Sequence, residues 1–221
     1  MKKKLILFGT GSFAEVAKCY FDEDSEYDVV AFCADKEYCK SNFFNGLPLI
    51  PFDEIENHYP PSKFEMHIAI GYVKLNHKRY MAYNQAKEKG YNLANYINSK
   101  IKIWDNNFFG DNLFIFEDNT IQPFVEFGSN IVIWSGNHIG HHSKIGSHSF
   151  ISSHVVISGH VTIKDFCFFG VNSTIRDSII IEEKTIVGAG SLILKNTKAE
   201  ELYIGPKTLP VRLKSTELKK L

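Results

Sequence analysis

An apolar residue, always Ile, Val or Phe, recurs at every sixth position from residue 97 to residue 193. A period of six matches neither an α-helix, which repeats every 3.6 residues, nor a strand, which alternates every two. It is typical of a coil with a triangular cross-section, in which each hexad supplies one short strand and one corner. Three hexads, or 18 residues, complete a turn, so the sequence predicts a left-handed parallel β-helix. The series is Ile97, Ile103, Phe109, Ile115, Ile121, Phe127, Ile133, Ile139, Ile145, Ile151, Ile157, Ile163, Phe169, Ile175, Ile181, Val187 and Ile193.

Two further positions of the hexad follow a pattern. Glycine often comes directly after the apolar residue, which we interpret as a tight corner that needs permissive backbone dihedrals. The residue four positions after the apolar one is often small or β-branched. The glycines are Gly110, Gly128, Gly140, Gly146, Gly170 and Gly188, and the small or β-branched residues are Ser143, Ser149, Val155, Val161, Ser173, Thr185 and Ser191.

The pattern before residue 97 is different, because apolar strands alternate there with amphipathic helices. We predict strands at 5–8, 29–32 and 67–70 and helices at 12–21 and 75–89. This order indicates a small parallel α/β unit, a Rossmann-like βαβ arrangement. We therefore divide the chain into an α/β domain (1–96) and a β-helix domain with a C-terminal tail (97–221). The proline-rich segment 43–61 is expected to wrap the outside of the first domain.

The charge balance excludes some classes of partner. Lys plus Arg equals Asp plus Glu at 25 each, so no long-range field attracts nucleic acid or an anionic membrane. No stretch approaches the roughly 20 apolar residues of a membrane span, and the apolar run at 5–8 is too short for a signal peptide. The four cysteines lack paired spacing, which is typical of reduced thiols in the cytoplasm. We expect a cytoplasmic protein.

A glycine turn at 9–14 is the first candidate site. Its G-x-G-x-x-A pattern follows a predicted strand and opens a predicted helix, where backbone amides can bind phosphate. Asp35 follows the second strand and can accept hydrogen bonds from ribose hydroxyls. A plain packing turn is the alternative. Because the domain is too short for two mononucleotide halves, a nucleotide or nucleotide sugar fits better than NAD.

Six of the nine histidines lie between residues 138 and 160. Because histidine gains and loses a proton near neutral pH, one of them can act as a general base. The alternative interpretation is that most of the six are surface or interface residues. Their spacings do not repeat the zinc-ligand spacing that γ-class carbonic anhydrases use on a similar fold. Only His142 and His160 are expected to stack on one face, so no metal is expected.

Small residues in the last coils form the third candidate site. They share one register and leave a groove along the coil edge that a pantetheine arm can occupy, although glycine required by the corner explains them equally well. The segments are FGVNS at 169–173, VGAGS at 187–191 and Gly205-Pro206.

Together these features resemble the bacterial nucleotide-sugar acetyltransferases of the left-handed β-helix, hexapeptide-repeat type. This group includes N-acetyltransferases of nucleotide-linked 4-amino-4,6-dideoxysugars and the sialic-acid O-acetyltransferase-like proteins. The resemblance covers nearly the whole chain. Its most specific motifs are GTGSFAE at 9–15, IAIG at 68–71, HIGHHSKIG at 138–146, FGVNSTI at 169–175 and VGAGSLI at 187–193.

The resemblance implies a homotrimer whose active sites lie between neighbouring subunits. It implies that His141 is the catalytic base, and that His142 stands where the family often has the glutamate that orients this base. Phe150 matches a second histidine of the family, so that role is not carried over. The implied acetyl-CoA contacts are Gly159, Val171, Ala189 and Gly190, and the implied nucleotide-sugar contacts are Gly9, Gly11, Ser12, Phe13, Asp35, Lys36 and Gly71.

The expected activity is acetyl transfer from acetyl-CoA to the amino group of a nucleotide-linked 4-amino-4,6-dideoxysugar, in lipopolysaccharide or other bacterial surface-glycan biosynthesis. Acetyl-CoA is the expected co-substrate, and no metal is needed. Two alternatives stay open: O-acetylation of a sialic acid or related sugar, and a non-catalytic β-helix scaffold that binds a nucleotide. Outward aromatic residues are expected to serve the trimer contact; they are Phe124, Trp134, Phe166 and Phe168.

Overall fold

The computed structural model describes residues 2–210, 212 and 215–217. Its N-terminal part contains β1 (Lys3–Phe8), α1 (Ser12–Glu23), β2 (Tyr27–Ala34), β3 (Phe43–Phe44), β4 (Leu47–Pro51), α2 (Ile55–His58), β5 (Glu65–Ile68) and α3 (His77–Glu88). Short 3-10 helices lie at Lys36–Tyr38 and Ser215–Glu217. Within these described residues, no helix has the length and apolar character that a membrane span requires.

The N-terminal strands form one sheet in the order β3-β4-β2-β1-β5. Side chains of β1 alternate between its two faces, as strand geometry requires. Leu5 and Leu7 pack in a cluster with α1, whereas Ile6 and Phe8 pack in a second cluster with α3. The predicted strands at 5–8 and 29–32 are confirmed, and the two predicted helices form at 12–23 and 77–88. The strand predicted at 67–70 lies two residues earlier, at 65–68.

The segment 43–61 does not simply wrap the outside. Its β4 joins the sheet beside β2 in parallel, with Phe32 opposite Leu49, and β3 pairs with β4 as a hairpin. The turn between them is Asn45-Gly46, with φ of 44° and 78°, and Asn-Gly with two positive φ values is a favoured hairpin turn. The strand β4 was not predicted because proline usually argues against a strand. Proline is nevertheless tolerated at sheet edges and strand ends, where Pro48 and Pro51 lie.

The second part is the predicted left-handed parallel β-helix, built from two-residue strands. Sheet I contains β7 (Phe108–Phe109), β10 (Glu126–Phe127), β13 (Lys144–Ile145), β16 (Thr162–Ile163) and β19 (Ile180–Ile181). Sheet II contains β6 (Tyr96–Ile97), β8 (Phe114–Ile115), β11 (Val132–Ile133), β14 (Phe150–Ile151), β17 (Phe168–Phe169), β20 (Ile186–Val187) and β22 (Leu202–Tyr203). Sheet III contains β9 (Thr120–Ile121), β12 (His138–Ile139), β15 (Val156–Ile157), β18 (Thr174–Ile175) and β21 (Leu192–Ile193).

The hexad pattern specifies the interior of this β-helix. From β7 to β21, each two-residue strand ends on the recurring apolar residue, and strand partners such as Ile133 and Ile151 are 18 residues apart. The small residues four positions later also face inward, where Ser143, Ser149 and Ser173 are fully buried. Two of these serines accept hydrogen bonds from backbone N–H groups of the next coil, at 3.2 Å from Val161 and from Cys167.

The corner glycines have a different role from the predicted one. None of the six glycines has a positive φ. Positive φ occurs instead at the third residue after the apolar one. From Asn112 to Lys184, every non-glycine residue at that position has a φ between 55° and 64°. The glycines are required because coils approach closely: a Cβ at Gly170 would lie 2.5 Å from the backbone nitrogen of Ala189. The prediction of a glycine-rich corner is right in position but wrong in its physical reason.

The N-terminal domain packs on the outer face of sheet II. Phe21 and Phe32 share a buried cluster with Phe114, Val132 and Phe150 of the coils. Three of the four outward aromatics expected at a trimer contact pack against the N-terminal domain instead: Trp134 lies beside Phe13 with ring centroids 6.4 Å apart, Phe168 packs against Tyr72, and Phe166 packs against Tyr80. Phe124 alone of these four is exposed, at 48%.

A buried arginine also joins the two parts. Arg79 of α3 is fully buried and donates hydrogen bonds to the carbonyl oxygens of Gly71 and Ser149, at 3.1 and 3.0 Å. Burial lowers the pKa of its guanidinium to about 9. These bonds link the loop after β5 to the coils, so the cavity beside that loop has a fixed wall.

The coils do not stop at Ile193. After a shortened connection, β22 pairs with β20, and Gly188 N–H donates to the carbonyl of Tyr203. The predicted tail therefore begins with one more strand of sheet II. Its last part, residues 211, 213, 214 and 218–221, lies outside the described residues.

Candidate active site

A cavity of about 570 Å³ lies between the glycine turn and sheet II. Its floor is the turn after β1, where Gly9 has a φ of 140° and a Cβ would lie 2.6 Å from the carbonyl oxygen of Ala69. The fold therefore requires Gly9. At Gly11 and Gly71 a Cβ would meet no atom within 4 Å, so at these two positions glycine leaves open space facing the cavity.

The cavity suits an anion attached to a planar group. Gly11 is the N-cap of α1 and no side chain caps this helix end, so its amides and the positive end of the helix dipole are available to a phosphate. Lys78 adds a cation and donates to the Tyr38 hydroxyl at 3.2 Å. The wall is aromatic: Tyr38, Tyr72, Trp134 and Phe150 line it.

The structure brings most of the predicted nucleotide-sugar residues together. Gly9, Gly11, Ser12, Phe13 and Gly71 all line this cavity. Asp35 and Lys36 instead line a neighbouring hollow with Asp53, Glu56 and Lys89. Sequence reasoning missed Lys78 and the aromatic wall, because nothing in their local pattern distinguishes them from other surface residues.

The histidine corner is the turn from sheet III to sheet I, formed by residues 140–143 and 158–161. His141 and His142 are exposed there, and their Nδ1 atoms lie 3.1 Å apart. The backbone N–H of His141 donates to the side-chain oxygen of Gln122 at 2.9 Å. A Cβ at Gly159 would lie 2.9 Å from Cε1 of His141, so this glycine makes room for the imidazole of His141.

Most of the other clustered histidines have a structural explanation. His142, His148, His154 and His160 all occupy the left-handed corner position, with φ from 58° to 62°, and histidine is among the residues enriched in that region. His148 packs against Tyr80 and Phe166, and burial lowers its pKa to about 4. It belongs to the domain contact rather than to a catalytic centre.

His160 stacks on His142 as predicted, with ring centroids 4.8 Å apart and an angle of 17°. His141 also approaches both rings, at 5.3 Å from His142 and 5.0 Å from His160. Three imidazoles therefore converge, whereas the sequence predicted that only two would stack. His142 and His160 share one hexad register, but His141 lies one residue earlier at the same corner and is brought to them by the fold.

The predicted acetyl-CoA contacts do not lie together within one subunit. Gly159 is at the histidine corner, whereas Val171, Ala189 and Gly190 are at the distal corner, the turn from sheet II to sheet III formed by residues 170–173 and 188–191. All three residues are exposed; Val171 and Ala189 are in register on successive coils, and Gly190 follows Ala189. Trp134, which lines the cavity at the glycine turn, begins the same corner two coils earlier.

Comparison with known proteins gives one family match. The profile of the PglD N-terminal domain matches residues 4–83. No curated protein sequence matches the chain.

Several solved structures resemble the whole chain. The acetyltransferase domain of PglB from Neisseria gonorrhoeae FA1090 has a TM-score of 0.81 at 19% identity, over 91% of this chain and 96% of that chain, and it is also known in complex with acetyl coenzyme A. PerB from Caulobacter crescentus, in complex with CoA and GDP-perosamine, has a TM-score of 0.80 at 20% identity, over 91% and 94%. WeeI from Acinetobacter baumannii AYE has a TM-score of 0.62 at 19% identity, over 92% and 97%.

The profile covers β1, α1 and the glycine turn beside the cavity, together with the other strands and helices up to residue 83. The structural matches extend over the coils that carry the histidine and distal corners. Residues 4–83 match the profile of the PglD N-terminal domain, and the chain shares its fold with the acetyltransferase domain of PglB and with PerB over 91% of its length.

Proposed function

We propose that this protein is an acetyl-CoA-dependent N-acetyltransferase of a nucleotide-linked 4-amino-4,6-dideoxysugar in bacterial surface-glycan biosynthesis. The observation that carries the proposal is the combination of an exposed, positioned His141 with an anion-binding cavity at the glycine turn. PerB, similar over 91% of this chain, binds CoA and GDP-perosamine, and the PglB domain binds acetyl coenzyme A. Acyl transfer to a sugar nucleotide fits both features.

The nucleotide sugar binds in the cavity between the glycine turn and sheet II. The diphosphate lies against the amides of α1 and near Lys78, and the base or ribose lies against the aromatic wall. Because Asp35 lines the neighbouring hollow, its contact with the ribose is not part of this arrangement. Acetyl-CoA runs along the distal corner, past Val171 and Ala189, where small or exposed side chains leave room for the pantetheine arm.

His141 accepts the proton that the amine loses. The neutral amine attacks the thioester carbonyl, a C–N bond forms, and the C–S bond breaks to release CoA as its thiol, with a proton restored to sulfur. Since the Nδ1 atom of His141 is directed at His142, Nε2 is the atom available to the amine. A positioned general base contributes typically 10²–10⁴-fold to such a step.

The active site is shared between subunits of a homotrimer. In one chain, sheet III separates the histidine corner from the distal corner, so His141 of one subunit meets acetyl-CoA held by the distal corner of the next. Sheet III also exposes apolar side chains, with Leu192 at 61% and Val156 at 39%. Sedimentation analysis at micromolar concentration is expected to give a trimer, and a stable monomer would contradict the shared site.

The test of the activity is CoA release over a panel of acceptors. The panel contains UDP-, GDP- and dTDP-linked 4-amino sugars and free sialic acid, and the product is identified by mass spectrometry. Acetylation of a nucleotide-linked amine supports the proposal, whereas acetylation of sialic acid alone indicates an O-acetyltransferase. Nucleotide binding without any transfer indicates a scaffold. We place the protein in the cytoplasm, where acetyl-CoA is available and its four free cysteines are reduced.

A further inference from the structure

The three imidazoles at the histidine corner have the arrangement of metal ligands. One nitrogen from each of His141, His142 and His160 can be chosen so that all three lie within 4.8 Å of one another. The rings of His142 and His160 are nearly parallel, and the ring of His141 is nearly perpendicular to both, at 88° and 87°. Zinc–nitrogen bonds of 2.0–2.1 Å in a tetrahedron place ligand nitrogens about 3.3 Å apart, so small side-chain rotations bring all three onto one ion.

The backbone beneath these rings is fixed by bonds between coils. His142 N–H donates to the carbonyl of Pro123, and His160 N–H donates to the carbonyl of His141 at 2.9 Å. Phe124 stacks on the other face of His142, with centroids 4.5 Å apart. The column Phe124–His142–His160 therefore holds two ligands in place before any ion arrives, and such preorganisation lowers the cost of binding.

From this geometry we infer that His141, His142 and His160 bind a divalent transition-metal cation, with Zn²⁺ as the probe, and that the bound cation inhibits the enzyme. Imidazole nitrogen is a preferred ligand of zinc, copper and nickel. Three protein ligands leave a fourth position for water. The exposure of all three rings gives the ion direct access.

The inhibitory consequence rests on the proposed function. A metal ion on His141 occupies a nitrogen of the imidazole and holds the ring away from the amine, so proton transfer stops. The site therefore differs from a catalytic zinc centre, because removal of the ion leaves the base free to act. His160 contributes to the metal site only, which allows the two roles to be separated by substitution.

The chain provides a closely matched control. His154 has the same left-handed backbone conformation as His160, with φ of 59° in both, and it is also exposed. It lies outside the three-histidine cluster, at the turn from sheet II to sheet III one coil before Val171, so the inhibition of each variant is expressed relative to its own zinc-free rate. Asparagine tolerates this conformation well, so His160→Asn and His154→Asn change the imidazole with little effect on the backbone.

Zinc binding is measured first, by competition with a chromophoric chelator on the full-length protein. Wild type and His154→Asn are expected to bind one Zn²⁺ per chain. His160→Asn is expected to bind at least about tenfold more weakly, since even loss of an outer-shell partner of a metal costs 10–100-fold. Absence of binding to wild type, or equal binding to His160→Asn, overturns the site whether or not the protein is an acetyltransferase.

Inhibition is measured second, as acetylated product detected by mass spectrometry, with free zinc held by a metal buffer because the CoA thiol also binds zinc. Zinc is expected to inhibit wild type and His154→Asn, whereas His160→Asn keeps its activity at the same free zinc. Equal inhibition of all three overturns the inhibitory role. Activity that is lost on zinc removal and restored on its return also overturns it. A metal-free enzyme that binds zinc but acetylates no acceptor contradicts the proposed function and leaves the site standing.

Discussion

The Nδ1 atoms of His141 and His142 face each other at 3.1 Å. Only one proton fits between two such nitrogens, so one ring donates and the other accepts. When His142 accepts, His141 carries its proton on Nδ1 and presents the lone pair of Nε2 to the substrate. This neutral acceptor occupies the position where the acetyltransferases that the sequence resembles often have a carboxylate.

His141→Asn is expected to lower kcat by roughly 100-fold or more, the usual range for loss of a general base. Initial rates of acetyl transfer measure the effect, and circular dichroism checks the fold. His58→Asn is the control, because it removes an exposed histidine at the end of α2, outside the cavity at the glycine turn and both corners. Similar rates for the two variants would contradict the assignment of the base.

His142→Glu tests the orienting role. A carboxylate at this position stabilises the protonated imidazole of His141 more than a neutral imidazole does. The acid limb of the kcat/KM profile is therefore expected to move to higher pH, with activity retained above that limb. His142→Phe removes the acceptor and is expected to lower kcat by less than His141→Asn does. An unchanged pH profile in His142→Glu would show that the two side chains do not interact during catalysis.

Gly159→Ala is expected to lower kcat without lowering the melting temperature. The backbone of Gly159 has no positive φ, and the three atoms nearest to the added Cβ all belong to the ring of His141, with Cε1 at 2.9 Å and Nε2 at 3.0 Å. The methyl group therefore displaces the imidazole of the base. Thermal unfolding and steady-state rates are measured on the same preparation. If the rate is unchanged, the position of the His141 ring does not matter to catalysis.

Gly11→Val is expected to raise KM for the nucleotide sugar while KM for acetyl-CoA stays constant. A Cβ at Gly11 meets no atom of the folded protein within 4 Å, so the branched side chain blocks the ligand rather than the fold. Gly9→Ala provides the contrast, because its Cβ would lie 2.6 Å from the carbonyl oxygen of Ala69 and should destabilise the protein. An equal rise in both KM values would mean that the substrates are assigned to the wrong sites.

Stability is expected to fall as the pH drops from about 6.5 toward 4. Burial lowers the pKa of His67 and of His148 from 6.5 to about 4, so in this window the unfolded chain binds more protons than the folded one, and each histidine contributes up to about 1.4 kcal/mol per pH unit. Melting temperatures between pH 7 and pH 4.5 measure the slope.

The carboxyl groups act in a lower window. The pKa values of Asp24 and Asp111 are held below 3.8, and that of Glu117 below 4.5, by hydrogen bonds to their carboxylates. At a pH above 3.8 for the two aspartates and 4.5 for the glutamate, the ionised carboxylates contribute fully to stability. This contribution is lost only as the pH falls below those values.

His67→Phe tests the histidine contribution. It removes one of the two histidines that titrate between pH 7 and pH 4.5, so the fall in melting temperature over that range is expected to be less steep. An unaltered slope would show that His67 does not contribute.

Local periodicity was sufficient to predict the interior of the β-helix. The inward position of Ile151 or Ser149 depends only on its place in the hexad, so the sequence carries that information directly. The dipeptide Asn45-Gly46 is a local indication of a hairpin turn, but the neighbouring prolines led to the prediction of an irregular outer segment instead. The role of the corner glycines was misread, because the 2.5 Å approach of the next coil at Gly170 is a contact between residues distant in sequence.

The coil, its 18-residue repeat and the glycine turn can be predicted from the sequence alone, because each follows from the order of residues within one short window. Which outward side chains meet depends on how the coils and the N-terminal domain pack. Trp134 and Phe168 are covered by the N-terminal domain whereas Phe124 is not, and His160 joins His141 and His142 because stacking brings residues one coil apart to the same corner. An outward side chain has no local pattern that identifies its partner, since the partner lies on another coil or another domain.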